Sequence, residues 1–125
     1  MGKKIAIKSG QVQVEAELND TKTAEAIWQA LPIESHVNTW GEEIYFSIPI
    51  KMKLENGQEI VQKGDLGYWP PGSAFCVFWG QTPVSRSGEI RPASSVTVFG
   101  RVTSGTSVLK SVPSGSSIKI SRMDE

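Results

Sequence analysis

Glu43-Ile44-Tyr45-Phe46-Ser47-Ile48 alternates polar or amphipathic side chains with aliphatic and aromatic ones. A period of two is the mark of a strand with one buried face. Ile44, Phe46 and Ile48 are expected to face an interior, which turns Glu43, Tyr45 and Ser47 outward. The same parity carries on through Ile50, Met52 and Leu54 as far as Asn56-Gly57, a hairpin signal. A second stretch, Ala74-Phe75-Cys76-Val77-Phe78-Trp79, is apolar on both parities, which predicts a strand buried on both faces.

Working outward, the N-terminal part reads as a hairpin. Ile5 and Ile7 alternate with charge, Ser9-Gly10 turns, and Val12, Val14, Ala16 and Leu18 alternate with polar residues. The period then changes. Ala24, Ile27, Trp28 and Leu31 recur at spacings of three and four after Asp20-Thr21, which can cap a helix, and Pro32 ends it. His36 to Trp40 is extended, with Gly41 as turn or bulge. Leu66 to Trp69 reads as a strand between Lys63-Gly64-Asp65 and Pro70-Pro71-Gly72. Gln81 to Ala93 reads as a long surface loop and Val96 to Val102 as a strand. One or two helical turns are expected over Thr106–Val112, and a closing strand at Ile118 and Ile120. About eight strands and one main helix favour a mainly β, closed barrel, since closure removes sheet edges.

The chain's 125 residues fit one domain spanning 1–125, large enough to hold a core without disulfides or metals. Thirteen basic and thirteen acidic residues cancel, so no broad electrostatic drive toward nucleic acid or an anionic membrane is expected. A single cysteine, no apolar leader and no run of roughly 20 apolar residues point to a cytoplasmic protein.

Most catalytic signatures are missing: no G-x-S-x-G elbow, no phosphate-cradling glycine loop, no dinucleotide fingerprint. One His and one Cys make a poor metal-ligand set, so neither metal nor cofactor is expected. His36 reads as a general base or as a hydrogen-bonded strand residue. Cys76 reads as a nucleophile, given something to lower its pKa, or as a small buried hydrophobe among Phe75, Val77 and Phe78. His36, Asn38 and Trp40 share one face of their strand. If that strand pairs with the next, they join Glu43 and Tyr45 in an outward cluster of aromatic and polar groups. Such clusters are commoner at binding sites than on idle surface; the alternative packs Trp40 and Tyr45 beneath a helix or loop. Tyr68-Trp69-Pro70-Pro71-Gly72 forms a second aromatic cluster on a rigid turn.

Phe75-Cys76-Val77-Phe78-Trp79-Gly80-Gln81-Thr82-Pro83 and Val96-Thr97-Val98-Phe99-Gly100-Arg101-Val102 resemble the C-terminal half of cyclophilins. Together with Thr23–Leu31, Glu42-Glu43-Ile44-Tyr45-Phe46 and Gly64-Asp65-Leu66-Gly67-Tyr68-Trp69-Pro70, they resemble a group of small bacterial and archaeal cyclophilin-like proteins of unknown function. The resemblance implies an eight-stranded barrel with any site on an outer face. It also exposes a departure. The strand that carries a catalytic Arg in cyclophilins is similar to Glu43-Ile44-Tyr45-Phe46-Ser47, which has none. Ala74 stands where a cyclophilin Gln is placed and Cys76 where a pocket Phe is placed.

Three functional expectations follow. The first is a binding module for a small ligand or proline-containing peptide, using Trp40, Glu43, Tyr45 and Cys76, with Tyr68, Trp69, His36 and Arg86 as further candidates. The second is a divergent peptidyl-prolyl isomerase drawing on Arg86 or Arg101. The third is acid–base chemistry shared by Glu43 and His36. Ligand identity and oligomeric state are not written in the sequence.

Overall fold

The computed structural model describes residues 2–123. Nine antiparallel strands and one α-helix make up the regular structure there: β1 (Lys4–Ser9), β2 (Val12–Leu18), α1 (Lys22–Ala30), β3 (Ile33–His36), β4 (Asn38–Thr39), β5 (Glu43–Ser47), β6 (Asp65–Trp69), β7 (Ala74–Phe78), β8 (Thr97–Val102) and β9 (Ser117–Arg122). They form one sheet in the order β3-β9-β1-β2-β8-β6-β7-β5-β4. The first and last members of that order are neighbours in the chain, separated only by Val37. One extended path therefore pairs with β9 through Ile33–His36 and with β5 through Asn38–Thr39. Ser35 Oγ donates to the Ser47 carbonyl across the remaining seam, at 2.8 Å. Counting β3 and β4 as that single path, the sheet curls into a nearly closed eight-strand barrel, which leaves little free edge.

The interior is filled by side chains. Ile44, Phe46 and Ile48 point inward as their alternation requires, and join Ile5, Ile7, Val14, Leu66, Phe75, Val77, Phe99 and Ile120 in one apolar cluster. Phe46 stacks on Phe75 with ring centres 4.9 Å apart, and Phe75 meets Phe99 edge to face at 5.0 Å. Close-packed rings of this kind leave no lumen for a ligand.

Helix α1 begins where Thr21 Oγ1 accepts from the Ala24 N–H at 3.0 Å, satisfying a donor the helix itself cannot. The Glu55 carboxylate accepts from the next free donors, the N–H groups of Lys22 and Thr23. Ala24 and Ile27 face the barrel, while Trp28 is partly buried with the Arg122 guanidinium 4.6 Å above its ring. The expected turns at Thr106–Val112 form a 3-10 helix over Ser107–Ser111.

One expectation is overturned. The strand that contains Ile44 does not run on to Leu54; it ends at Ser47. Pro49 carries no N–H to give a ladder, and the Tyr68 hydroxyl captures the segment instead. That hydroxyl donates to the Ile50 carbonyl at 2.7 Å and accepts from the Met52 N–H at 3.2 Å. Asn56 does adopt the positive φ of a turn, 49°, yet the chain beyond it makes only isolated bridges, Gln58 to Val96 and Val61 to Ile90.

Those bridges place chain over the outer face of β7, whose five residues are all buried. Phe75 and Val77 face the barrel interior, whereas Ala74, Cys76 and Phe78 face out and are covered by Val61 and Val96. A second, smaller apolar cluster thus lies outside the barrel wall. Among the described residues, no helix is long and apolar enough to cross a membrane.

Candidate functional site

The outer cluster does not close completely. A cavity of about 260 Å³ remains, lined by Trp40, Glu43, Tyr45, Trp69, Cys76, Pro92, Ala93 and Val96. Each wall has a local cause. Glu43 and Tyr45 are the outward members of β5, and the β5–β7 register sets Tyr45 opposite Cys76 and Glu43 opposite Phe78, diagonal to Cys76. Trp40 is brought over by a tight turn in which its N–H donates to the Glu43 carbonyl at 2.9 Å. That turn depends on Gly41, whose φ is +61° and where a Cβ would lie 2.8 Å from the Gln81 carbonyl oxygen. Trp69 is the outward residue at the end of β6, its indole N–H held by Ser94 Oγ at 2.7 Å.

The remaining wall comes from the loop after β7. Ser85 Oγ accepts from the N–H groups of both Thr82 and Arg91 at 2.9 Å, and buried Thr82 donates its hydroxyl to the Arg91 carbonyl. Arg91 in turn donates to Glu89 at 2.7 Å. This internal bonding holds the loop as an ordered flap that delivers Pro92 and Ala93 to the cavity. The sequence shows the segment only as a Pro- and Gly-containing loop, with no periodic sign of its order, and Pro92, Ala93 and Val96 were missed.

Glu43 sets the chemistry of the cavity. Only 4% of it is exposed, and its Oε1 has no hydrogen-bond partner. Removal from water disfavours the carboxylate and pushes its pKa up to about 7, partly opposed by the nearby Cys76 thiol. The same Sγ makes a long contact with the Ala74 carbonyl at 4.0 Å. Burial, and then the Glu43 charge, push the Cys76 pKa well above its ordinary value. The thiol is thus a small buried hydrophobe held in its neutral form, which favours that reading over the nucleophile.

Five of the eight candidate side chains thus meet in one cavity: Trp40, Glu43, Tyr45, Trp69 and Cys76. Three do not. Tyr68 is fully buried in the barrel interior, because adjacent strand residues face opposite sides and Trp69 takes the outer one. His36 is exposed at the end of β3; carrying the Asn38–Tyr45 register on by two residues sets it level with Ser47, four strand residues from Glu43, roughly 13 Å at 3.3 Å per residue. That separation precludes direct acid–base sharing. Arg86 is exposed in the loop, where its backbone bonds with Glu89 and Gln81 and its side chain does not line the cavity. Arg101 borders a separate groove with Glu17 and Asp65. Asp65 accepts from the Gln62 N–H at 2.8 Å and serves its own turn. Among the described residues, no three His, Cys, Asp or Glu side chains gather as a metal cluster.

The family model described as Cyclophilin-like matches residues 3–121. The solution structure of the hypothetical protein AF2241 from Archaeoglobus fulgidus is similar at a TM-score of 0.84 and 40% identity, covering 98% of this chain and 95% of that one. The structure of McbB in complex with tryptophan is similar at a TM-score of 0.76 and 16% identity, covering 97% of this chain and 45% of McbB. No curated protein sequence matches. The family match runs from β1 into β9, and the archaeal likeness extends over nearly the full length of both chains; the chain belongs to the cyclophilin-like family.

Proposed function

We propose that this protein is a binding module whose outer-face cavity takes a small planar ligand or a single ring of a peptide. The carrying observation is the convergence of Trp40, Tyr45 and Trp69 with the buried Glu43 carboxyl on one concave, mostly apolar surface. Size supports a small occupant: about 260 Å³ falls just below the roughly 300–1,000 Å³ of sites for drug-sized molecules. Prolyl isomerisation has a barrier of about 20 kcal/mol, and the cyclophilin Arg is understood to lower it by hydrogen bonding to the twisted amide. Among the described residues, no Arg, Lys or His lines this cavity, which favours binding over isomerase catalysis. McbB shares this fold, and its complex with tryptophan recommends aromatic fragments as first probes.

The test pairs two measurements. Aromatic fragments, indole among them, are titrated while the indole N–H resonance of Trp69 is followed by NMR, in the wild type and in Trp40→Ala. We expect shifts in the wild type, weakened about tenfold in the variant, with its unfolding midpoint nearly retained because Trp40 is only half-buried. A large stability loss with unchanged binding would make Trp40 structural. A proline tetrapeptide assay is expected to give the buffer rate; acceleration abolished by Arg86→Ala would favour the isomerase.

A further inference from the structure

We propose that the outer-face cavity selects ligands carrying a protonated primary or secondary amine on a flat apolar body, with the Glu43 carboxylate as the amine's partner. This rests on the cavity being a ligand site and adds the chemistry of what enters it.

Three observations converge. First, Glu43 lines the cavity while 96% buried, and its Oε1 has no donor. A buried carboxyl oxygen without a hydrogen-bond partner carries a desolvation cost that an N–H donor offsets. The terminal torsion of a Glu side chain is soft, so a small rotation turns that oxygen toward an occupant. Second, among the described residues none in the cavity wall supplies the missing positive charge. The other titratable groups in the wall are Tyr45 from β5 and Cys76 from β7; β6 contributes Trp69, and the loop contributes Pro92, Ala93 and Val96. Neighbouring Glu42 turns away to accept from the Gln81 N–H at 3.2 Å. Arg91, next to Pro92, is engaged by Glu89 at 2.7 Å and Glu59 at 3.8 Å. Third, the three aromatic residues in the wall offer rings that attract a cation and accept a flat apolar body.

These features discriminate among ligands. An anion would meet Glu43 with no compensating cation, and a hydrocarbon would leave Oε1 unpaired. An ammonium satisfies both the carboxylate and the rings. Below about pH 7 Glu43 carries a proton, so binding the ammonium releases that proton to solvent.

The probes are 2-phenylethylamine, its neutral analogue 2-phenylethanol and the anionic 3-phenylpropionate, with the Trp40 and Trp69 indole resonances as readout. The amine is expected to bind at least about tenfold tighter than the alcohol, and the acid weakest. Glu43→Gln should remove the amine's advantage over the alcohol. An alcohol that binds as tightly as the amine, or an advantage that survives Glu43→Gln, overturns the proposal. Should that variant fail to fold, the wild type suffices: amine affinity should rise toward about tenfold per pH unit between pH 5 and 7 and level above, with the alcohol flat. A flat amine profile overturns the proposal. If all three probes move the resonances alike, only the amine preference falls; if none does, the ligand-site reading falls with it.

Discussion

Replacing Glu43 with Gln should change the pH dependence of folding more than folding itself. In the folded chain the carboxyl titrates at about 7 instead of 4.5, because burial disfavours its charge. Below pH 4.5 the group is protonated in both the folded and the unfolded chain and costs nothing. As pH rises past 4.5 the unfolded chain releases its proton while the folded one retains it, so stability falls. The fall ends near pH 7, where the folded group ionises as well. At about 1.4 kcal/mol per pH unit, this window is worth roughly 3 kcal/mol. Glu43 is only 4% exposed, so solvent screens little of it.

Gln has nearly the same shape and no charge. It carries a buried amide cost of its own, but that cost does not vary with pH. Urea unfolding of both proteins at pH 4 and pH 8, followed by far-UV circular dichroism, isolates the effect. The Gln variant should gain roughly 3 kcal/mol on the wild type between the two pH values. With a slope of about 1–3 kcal/mol per M, the gap between midpoints moves by roughly 1–3 M. Other titratable groups, Asp65 among them, whose carboxyl burial pushes upward, are common to both proteins and cancel. A difference that stays constant within about 0.5 kcal/mol from pH 4 to pH 8 would refute the reasoning, since it would mean that Glu43 is solvated or paired.

Two further substitutions test the frame around the site. Gly67→Ala places a Cβ 2.9 Å from Val96 Cγ2 and 3.1 Å from the Phe78 ring; it should cost about 1–3 kcal/mol by overpacking and weaken fragment binding by pressing Val96 into the cavity, and unchanged binding in a folded variant would show that Val96 is no wall. Tyr68→Phe removes the bonds to Ile50 and Met52; it should cost about 1–3 kcal/mol and speed amide exchange at Met52, and an unaltered Met52 amide would mean that Tyr68 does not anchor the crossing segment.

Local alternation was enough to read most of the barrel. Ile44, Phe46 and Ile48 announced an inner face, and the doubly apolar Ala74–Trp79 announced a strand covered on both sides; both faces of β7 are indeed buried. Alternation also showed which side chains face outward, but which of them sit together is set by the β5–β7 pairing, which places Tyr45 against Cys76. It failed where a single side chain outweighed the pattern. From Ile48 to Leu54 the parity is that of a strand, but the Tyr68 hydroxyl, 16 to 18 residues away in sequence, draws the backbone off the sheet. It failed again where side chains were grouped by sequence distance. Tyr68 and Trp69 are adjacent in the chain and therefore face opposite sides of the wall. The flap formed by the 81–93 loop was illegible for a third reason: its order comes from Ser85 and Thr82 bonding to backbone groups, and nothing in a period of two or 3.6 reports such bonds.

The placement of cost connects fold to function. The barrel interior is occupied by stacked rings, so a ligand has room only outside the wall, and an outer face can be enclosed only if loops are laid over it. The bridges at Gln58 and Val61 and the bonded loop after β7 do that. A cover built for stability alone would complete the apolar cluster around Val61, Phe78 and Val96 with another aliphatic residue at position 43. A buried carboxyl with one unpartnered oxygen sits there instead, at a standing expense of roughly 3 kcal/mol at neutral pH, a sizeable part of the 5–15 kcal/mol that holds a typical domain together. Local rules broken without compensation within the folded chain concentrate at functional sites. The compensation for Glu43 is then to be sought in what the cavity holds: a donor that pairs with its oxygen should return much of that lost stability, so the bound protein should unfold later than the free one by more at pH 8 than at pH 4.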